Sequence, residues 1–434
     1  MKGLVLTCVF LAGVGSLRAQ STFDTIGLTA LLAEDPTLTG HGVLVSQIES
    51  APVPLQFEVN PASPDLPATH FSWRSSSGLA TKFPNHVGSE SSHADSVAQD
   101  LYGLQTGVAP GILHVTNYET NFFYPNIILA KNPNRSAIFN QSFEFGPHNA
   151  AQDRAYDDYI ALNRTVVVSG IGNGGPILSP SDCYNGIGVA AYGGASSTGP
   201  TADGRCKPDI TAPAGATSFS TPLVAGAAAI LIQAGRDAGI DATAATDPRT
   251  IKALLLTGAV KPSGWSHSVT APLDPNYGAG ILNIFNSYNE LAAGRGAPVA
   301  SGFSKDAHPP LTVTSAPIQP RGWDERSITS TRTEQAIKHY RLATTAAGAL
   351  IATLVWNKAN GADGINQLTL YLYDSGGNLL GSSESTVDNV QHIYIENLPA
   401  GTYEIQVIKV AGAVGAPGVV SDLDVYALAW DFER

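Results

Sequence analysis

The stretch GATSFSTPLVAGAAAILIQ, Gly215 to Gln233, joins a small, polar, turn-prone opening to an apolar run. Leu223, Val224, Ala225, Ala227 to Ala229 and Ile230 to Ile232 make that run apolar on nearly every side, which predicts a helix buried deep in the fold. Ser218 and Ser220 fall near its N-terminus, where backbone N–H groups are unpaired and the helix dipole is positive. A serine in that place is usually an N-cap. It can also be a nucleophile whose own N–H helps to hold an oxyanion.

Outward from this helix, short β-branched runs alternate with helical stretches. Val43 to Val45, Ile112 to Val115, Ala137 to Phe139, Val166 to Val168 and Ile187 to Ala190 read as strands. His93 to Leu101, Ala150 to Leu162, Thr217 to Ala234 and Pro248 to Leu256 read as helices. Such alternation predicts an α/β domain with a mostly parallel sheet, and places the site at the carboxyl ends of the strands. From Ala292 to Arg321 the pattern gives way to Gly, Ala, Ser and Pro. Beyond it the hydrophobic period becomes two, as in QLTLYLYD and TYEIQVIKV, with turn signals such as DSGGN between the strands. That pattern predicts an all-β sandwich or jelly roll. The expected organisation is an α/β domain over 20–296, a linker over 297–325 and a sandwich over 326–434. Tyr371, Tyr373 and Trp430 could face a ligand, but strand alternation favours packing in the core.

The chain carries 24 Lys and Arg against 36 Asp and Glu, a net charge of −12, with no basic cluster. This excludes a nucleic-acid binder. Lys2, an apolar stretch from Gly3 to Val14 and the small residues up to Ala19 read as a secretory signal peptide over 1–19. The apolar stretch is too short to span a bilayer, and no later segment reads as a span. The expectation is a secreted protein, extracellular or periplasmic. Cys8 would leave with the signal. Cys183 and Cys206 would then pair as a disulfide in an oxidising compartment, with two buried thiols as the alternative. No metal-ligand spacing is present, so neither a metal nor another cofactor is expected.

A nucleophilic serine needs a base, an acid to orient the base, and oxyanion donors. His93, in SSHADSVAQDLYG, opens a helix behind the caps Ser91 and Ser92. In VVVSGIGNGG a buried strand runs into a glycine-rich turn that holds Asn173, whose amide could project into a cleft. Together these stretches resemble the subtilases, the subtilisin-like serine peptidases. ATSFSTPLVAG matches the family's nucleophile block, which implies Ser218 as nucleophile. VVVSGIGNGG resembles its oxyanion strand and turn, which implies Asn173 as the side-chain donor. HADSVAQDLYG followed by TGVAPGILHV resembles the histidine helix and next strand, which implies His93 as base. AIFNQSFEFG resembles the strand that lines the substrate cleft, with Ser142 and Phe143 near the S1 pocket. Ser169, Gly170 and Gly172 would form the facing wall. The resemblance covers Gly27 to Leu291 and implies a subtilisin-like three-layer fold. Acid, histidine, serine is also the subtilisin order.

This chain departs from the family pattern at the acid. GVLVSQIES places Glu49 where the family has an aspartate, and His93 is followed by Ala-Asp-Ser. Asp95 is thus a rival orienter, although two positions on along one helix it should face away from His93. The resemblance implies an endopeptidase acting on polypeptide; with Glu49 in the acid's place the expected triad is Ser-His-Glu, and the expected state, which the sequence does not fix, is a monomer. Structural calcium is a habit of the family, but no EF-hand-like loop occurs here. The altered acid and histidine motifs leave a second reading: a catalytically weak relative that binds polypeptide or glycan.

Overall fold

Leu44–Glu49 (β1) is buried along nearly its whole length, the mark of a central parallel strand. In the computed structural model it lies within an eight-stranded sheet. The structure describes residues 21–50, 53, 55–66, 70–237, 239, 241–301, 316–330, 336–410 and 423–432. The expected signal peptide over 1–19 and residues 302–315 of the expected linker lie outside the described residues.

The other strands are His70–Ser75 (β2), Gly78–Ala80 (β3), His114–Glu119 (β4), Ile138–Gln141 (β5), Val166–Gly170 (β6), Ile187–Tyr192 (β7) and Ile210–Pro213 (β8). Their order is β8-β7-β6-β5-β1-β4-β2-β3. Every pairing is parallel except the β2–β3 hairpin at the edge. Alternation divides the side chains between two faces. Val45, Val115, Ile138, Val166, Val168, Val189 and Ile210 meet helices Ser92–Tyr102 (α2), Thr217–Asp237 (α4), Pro248–Gly258 (α5) and Ile284–Ala292 (α6). Helix Leu28–Glu34 (α1) adds Leu28 and Leu31 to that core. Ile48, Tyr118, Phe139 and Val167 meet Ala150–Asn163 (α3) on the other face. This is the expected three-layer α/β architecture.

Helix α4 is long and apolar enough to cross a membrane, with mean hydropathy 1.4, contrary to the expectation that no later segment is. Buried over 89 % of that window, it is the core helix of this domain.

The C-terminal strands are Ala300–Ser301 (β9), Arg321–Thr329 (β10), Ile337–Thr344 (β11), Gly348–Trp356 (β12), Leu368–Asp374 (β13), Leu379–Ser383 (β14), Val390–Leu398 (β15), Gly401–Lys409 (β16) and Leu423–Asp431 (β17). They form two antiparallel sheets, β9-β11-β16-β13-β14 and β10-β17-β12-β15. The sandwich therefore takes in β9 and β10, both of which begin inside the expected linker. Trp430 is fully buried in the sandwich core, and Tyr371 and Tyr373 form a smaller buried cluster with Ile337 and Ile408. None of the three presents an aromatic platform to solvent.

The sandwich is not a loosely tethered module. Along β17, Tyr426, Leu428 and Trp430 point into its own core, while Ala427 and Ala429 join the core of the first domain. Trp323, Val355 and Val390 join that core too. The small alanines let α5 approach, where Thr257 Oγ1 donates to Thr353 Oγ1 at 2.8 Å. Trp323 Nε1 donates to the Leu291 carbonyl of α6 at 3.1 Å.

The expected disulfide is not formed: Cys183 and Cys206 are free thiols. Cys183 is buried among the α3-face side chains, whereas Cys206 packs against the core of the opposite face. The two thiols thus pack in different clusters of the core. Burial pushes both thiols up, Cys206 to about 12, so neither is a ready thiolate.

Candidate active site

Gln47 and Glu49 lie two apart on β1 and so share a face at the strand's carboxyl end. Glu49 is 1 % exposed. Its Oε2 stands 2.8 Å from His93 Nδ1, and its Oε1 accepts from Gln47 Nε2 at 2.8 Å. Gln47 also donates to the Ala94 carbonyl at 2.9 Å and accepts from Tyr102 OH at 2.6 Å. This one buried amide thus ties β1 to both ends of α2 and orients the Glu49 carboxylate. An ionised carboxylate only accepts, so Nδ1 is placed to donate and Nε2 is left as an acceptor.

His93 is held in the first turn of α2, where the side chain of Ser91 caps the helix by accepting from Ala94 N. Its imidazole is half exposed. The hydrogen bond with Glu49 pushes the pKa of His93 up; burial opposes this, and the charges of Glu49 and Glu144 add to it. Asp95 faces elsewhere: it accepts from Asn60 N at 2.7 Å. Burial is the main cause that lifts its carboxyl to about 6, with Glu90 nearby adding to the rise. The residue that touches His93 is Glu49.

Ser218 is the second residue of α4. Pro222, four residues on, has no N–H to give, so the Ser218 carbonyl lacks its helical donor. The hydroxyl of Ser142 takes that role at 2.9 Å. The Ser218 hydroxyl in turn donates to the Ser142 carbonyl at 3.4 Å. This reciprocal pair fastens the end of β5 to the start of α4. No hydrogen bond joins His93 to Ser218 in this structure. The ring of His93 lies 5.9 Å from that of Phe219, beside the residue that follows the serine. Catalytic hydrogen bonds are commonly loose in an unliganded site and tighten around substrate.

Asn173 is exposed in the turn after β6. Its Oδ1 accepts from Thr217 N at 2.8 Å and from Thr217 Oγ1 at 3.0 Å. With the oxygen so engaged, the amide NH2 is turned outward next to Ser218. Gly170 makes this approach possible, because a Cβ there would stand 3.1 Å from the hydroxyls of both Thr217 and Thr221. Gly172 adopts φ +101°, a backbone that suits glycine alone.

The remaining sequence-derived candidates divide. Ser142 is bonded to Ser218 directly, Gly170 abuts Thr217 and Thr221 of α4, and Gly172 lies against Ser197 and Leu178. Phe143 turns its ring into the α3-face cluster against Phe145, 5.2 Å away, leaving only its backbone for the cleft. Ser169 corrects an expectation. It is 2 % exposed and donates to Gln141 Oε1 on the α3 face, so it does not line the cleft. Alternation along VVVSG carries the reason, since Val167 and Ser169 share one face while Val168 and Gly170 take the other. Gln47 and Pro222 were not singled out from sequence. The signal for Gln47 was a polar residue inside an apolar strand, two positions before the acid.

Residues 100–280 match the model of the subtilase family, a span that includes Asn173 and Ser218 and begins after Glu49 and His93. Several solved structures are similar. A protease from Pseudoalteromonas arctica is 19 % identical, with 58 % of this chain and 90 % of that one covered and a TM-score of 0.42. A cold-adapted subtilisin-like serine proteinase is 19 % identical over 56 % and 89 % of the two chains, with a TM-score of 0.40. The Aeromonas sobria serine protease, solved with its chaperone, is 13 % identical over 92 % and 89 %, with a TM-score of 0.37.

Proposed function

We propose that the chain, whose residues 100–280 match the model of the subtilase family of serine peptidases, is a secreted endopeptidase that cleaves polypeptide through a Ser-His-Glu triad. The observation that carries this reading is the 2.8 Å contact between His93 Nδ1 and the buried carboxylate of Glu49, next to the helix that bears Ser218. Secretion rests on the leader-like stretch from Lys2 to Ala19.

Substrate draws the Ser218 hydroxyl from the Ser142 carbonyl to His93 Nε2. As Oγ attacks the peptide carbonyl, its proton passes to Nε2, and Glu49 stabilises the imidazolium through Nδ1–H. The tetrahedral oxyanion takes hydrogen bonds from Asn173 Nδ2 and the Ser218 N–H. When the C–N bond breaks, His93 returns the proton to the leaving amine. Water, deprotonated by the same imidazole, then hydrolyses the acyl ester and restores Ser218. Ser142 is a positioning residue, because it holds the backbone that carries the nucleophile.

An unfolded polypeptide such as denatured casein, incubated with the purified chain, tests the proposal. Internal cleavage lost in Ser218→Ala supports it. Tight binding of the same polypeptide with no cleavage would favour the binding-module reading.

A further inference from the structure

The segment that leaves Ser142 ends in a short ladder, Gly146–Pro147 paired with Leu178–Ser179. Just beyond it three side chains converge: His148 before α3, Asp153 in the first turn of α3, and Asp182 after the second ladder strand. His148 Nδ1 lies 2.5 Å from Asp182 Oδ2 and 3.2 Å from Asp153 Oδ2. Asp182 is fully buried and the Asp153 side chain is 5 % exposed, while His148 is partly open to solvent.

Asp153 is the telling residue. Both of its carboxylate oxygens are buried, and apart from the 3.2 Å approach of His148 Nδ1 to Oδ2 neither has a hydrogen-bond partner. A buried acid left in that state is costly unless something else meets it. The nearby guanidinium of Arg205 is engaged with Asp203 and with the Asp182 backbone carbonyl. Asp182 Oδ1 accepts from Ser179 Oγ at 3.2 Å, and Ser179 Oγ accepts from Asn149 N at 2.8 Å, which holds the second carboxylate in place. One ligand atom from each of the three residues lies within 4.8 Å of the others.

We propose that His148, Asp153 and Asp182 bind a divalent transition-metal ion of zinc's character. One imidazole nitrogen and two carboxylate oxygens suit such an ion and leave a fourth position for water. Calcium asks for six or more oxygen ligands, which this set does not supply. Metal–ligand distances of about 2.0–2.2 Å would need only small side-chain rotations. The ion would clamp two loops at once. One leads back to Ser142 and the other to Asn173, so the site braces both walls of the cleft without touching the reacting atoms. From sequence no metal site was expected, because the ligands come from separate segments with no compact spacing.

The test is thermal unfolding of the full chain, stripped with a chelator and then titrated with zinc chloride. The melting temperature should rise by about 4 °C at roughly a hundredfold excess over Kd. The rise should persist in His93→Ala, which removes the imidazole paired with Glu49, and vanish in Asp153→Asn. Asparagine keeps the shape of Asp153 and removes only a buried carboxylate oxygen that could bind the ion, so the variant should fold. If it does not, His148→Gln carries the same comparison. No rise in the wild type, a rise that survives the ligand substitutions, or a rise with calcium chloride and none with zinc would each overturn the assignment.

Discussion

Replacing Glu49 by Gln changes one atom and, through its surroundings, the protonation state of the base. Gln47 Nε2 donates to Glu49 Oε1, and Gln47 is itself held by Ala94 and Tyr102. In Glu49→Gln, that fixed donor keeps the amide oxygen on the Gln47 side and turns the NH2 toward His93. Nδ1 then faces a donor and must accept, so the imidazole proton moves to Nε2. An Nε2–H cannot take the proton of Ser218. The same tautomer error in another serine protease lowers kcat by ~10⁴-fold, or about 5.4 kcal/mol in the barrier. A second signature follows from the raised pKa of His93, whose first cause is Glu49. Catalysis requires neutral imidazole, so the acid limb of kcat/KM should lie above 6.5 in the wild type and move down in Glu49→Gln. Glu49→Asp keeps the charge and should lose less. Initial rates on a chromogenic peptide from pH 5 to 9, with circular dichroism to establish folding, measure both effects. Near-wild-type turnover with an unmoved acid limb in Glu49→Gln would refute this reasoning.

Asn173→Ala should lower kcat by about 10²–10³-fold with little change in KM, because it removes a donor to the oxyanion and leaves Thr217 in place; steady-state kinetics separate the two constants. A chain ending at Gly296 should aggregate or melt well below the full chain, since it bares the helices that pack on Ala427, Ala429 and Trp323; light scattering and calorimetry report this. Thiol titration of the unfolded, unreduced protein lacking residues 1–19 should find Cys183 and Cys206 both free, with neither reacting readily before unfolding. Burial lifts Asp100 to about 7 from 3.8, so between those values the folded chain holds a proton that the unfolded chain has lost. Its contribution to stability is fully present below about pH 4 and is lost as pH rises to 7. Asp100→Asn should therefore stabilise by about 2–4 kcal/mol at pH 8 and by nearly nothing at pH 4, read from denaturant unfolding.

What was legible in the sequence was local. The apolar run after Ser218, the valine run of β6 and the capped start of α2 each announce their element, because burial on all sides or a cap leaves a mark within a few residues. The pairing of Glu49 with His93 was legible because chain order and motif both pointed to it. Long-range partnerships were not. That Ser142 replaces the donor missing at Pro222 depends on where β5 ends relative to α4. The cysteines looked pairable by compartment, yet they pack in different clusters of the core. The two-residue period of β17 announces a sandwich strand but not its second contact, although apolar residues on both of its faces mark an outer face covered by other protein. Ser169 adjoins Gly170, yet strand alternation sends it to the opposite layer.

The central claim is that Ser218 is a nucleophile activated by His93. Labelling with a fluorophosphonate followed by peptide mass spectrometry tests it most directly. One covalent adduct on Ser218 is expected in the wild type, none in Ser218→Ala and none at equal exposure in His93→Ala. An unlabelled wild-type Ser218 in a folded chain, or equal labelling when His93 is removed, would contradict it.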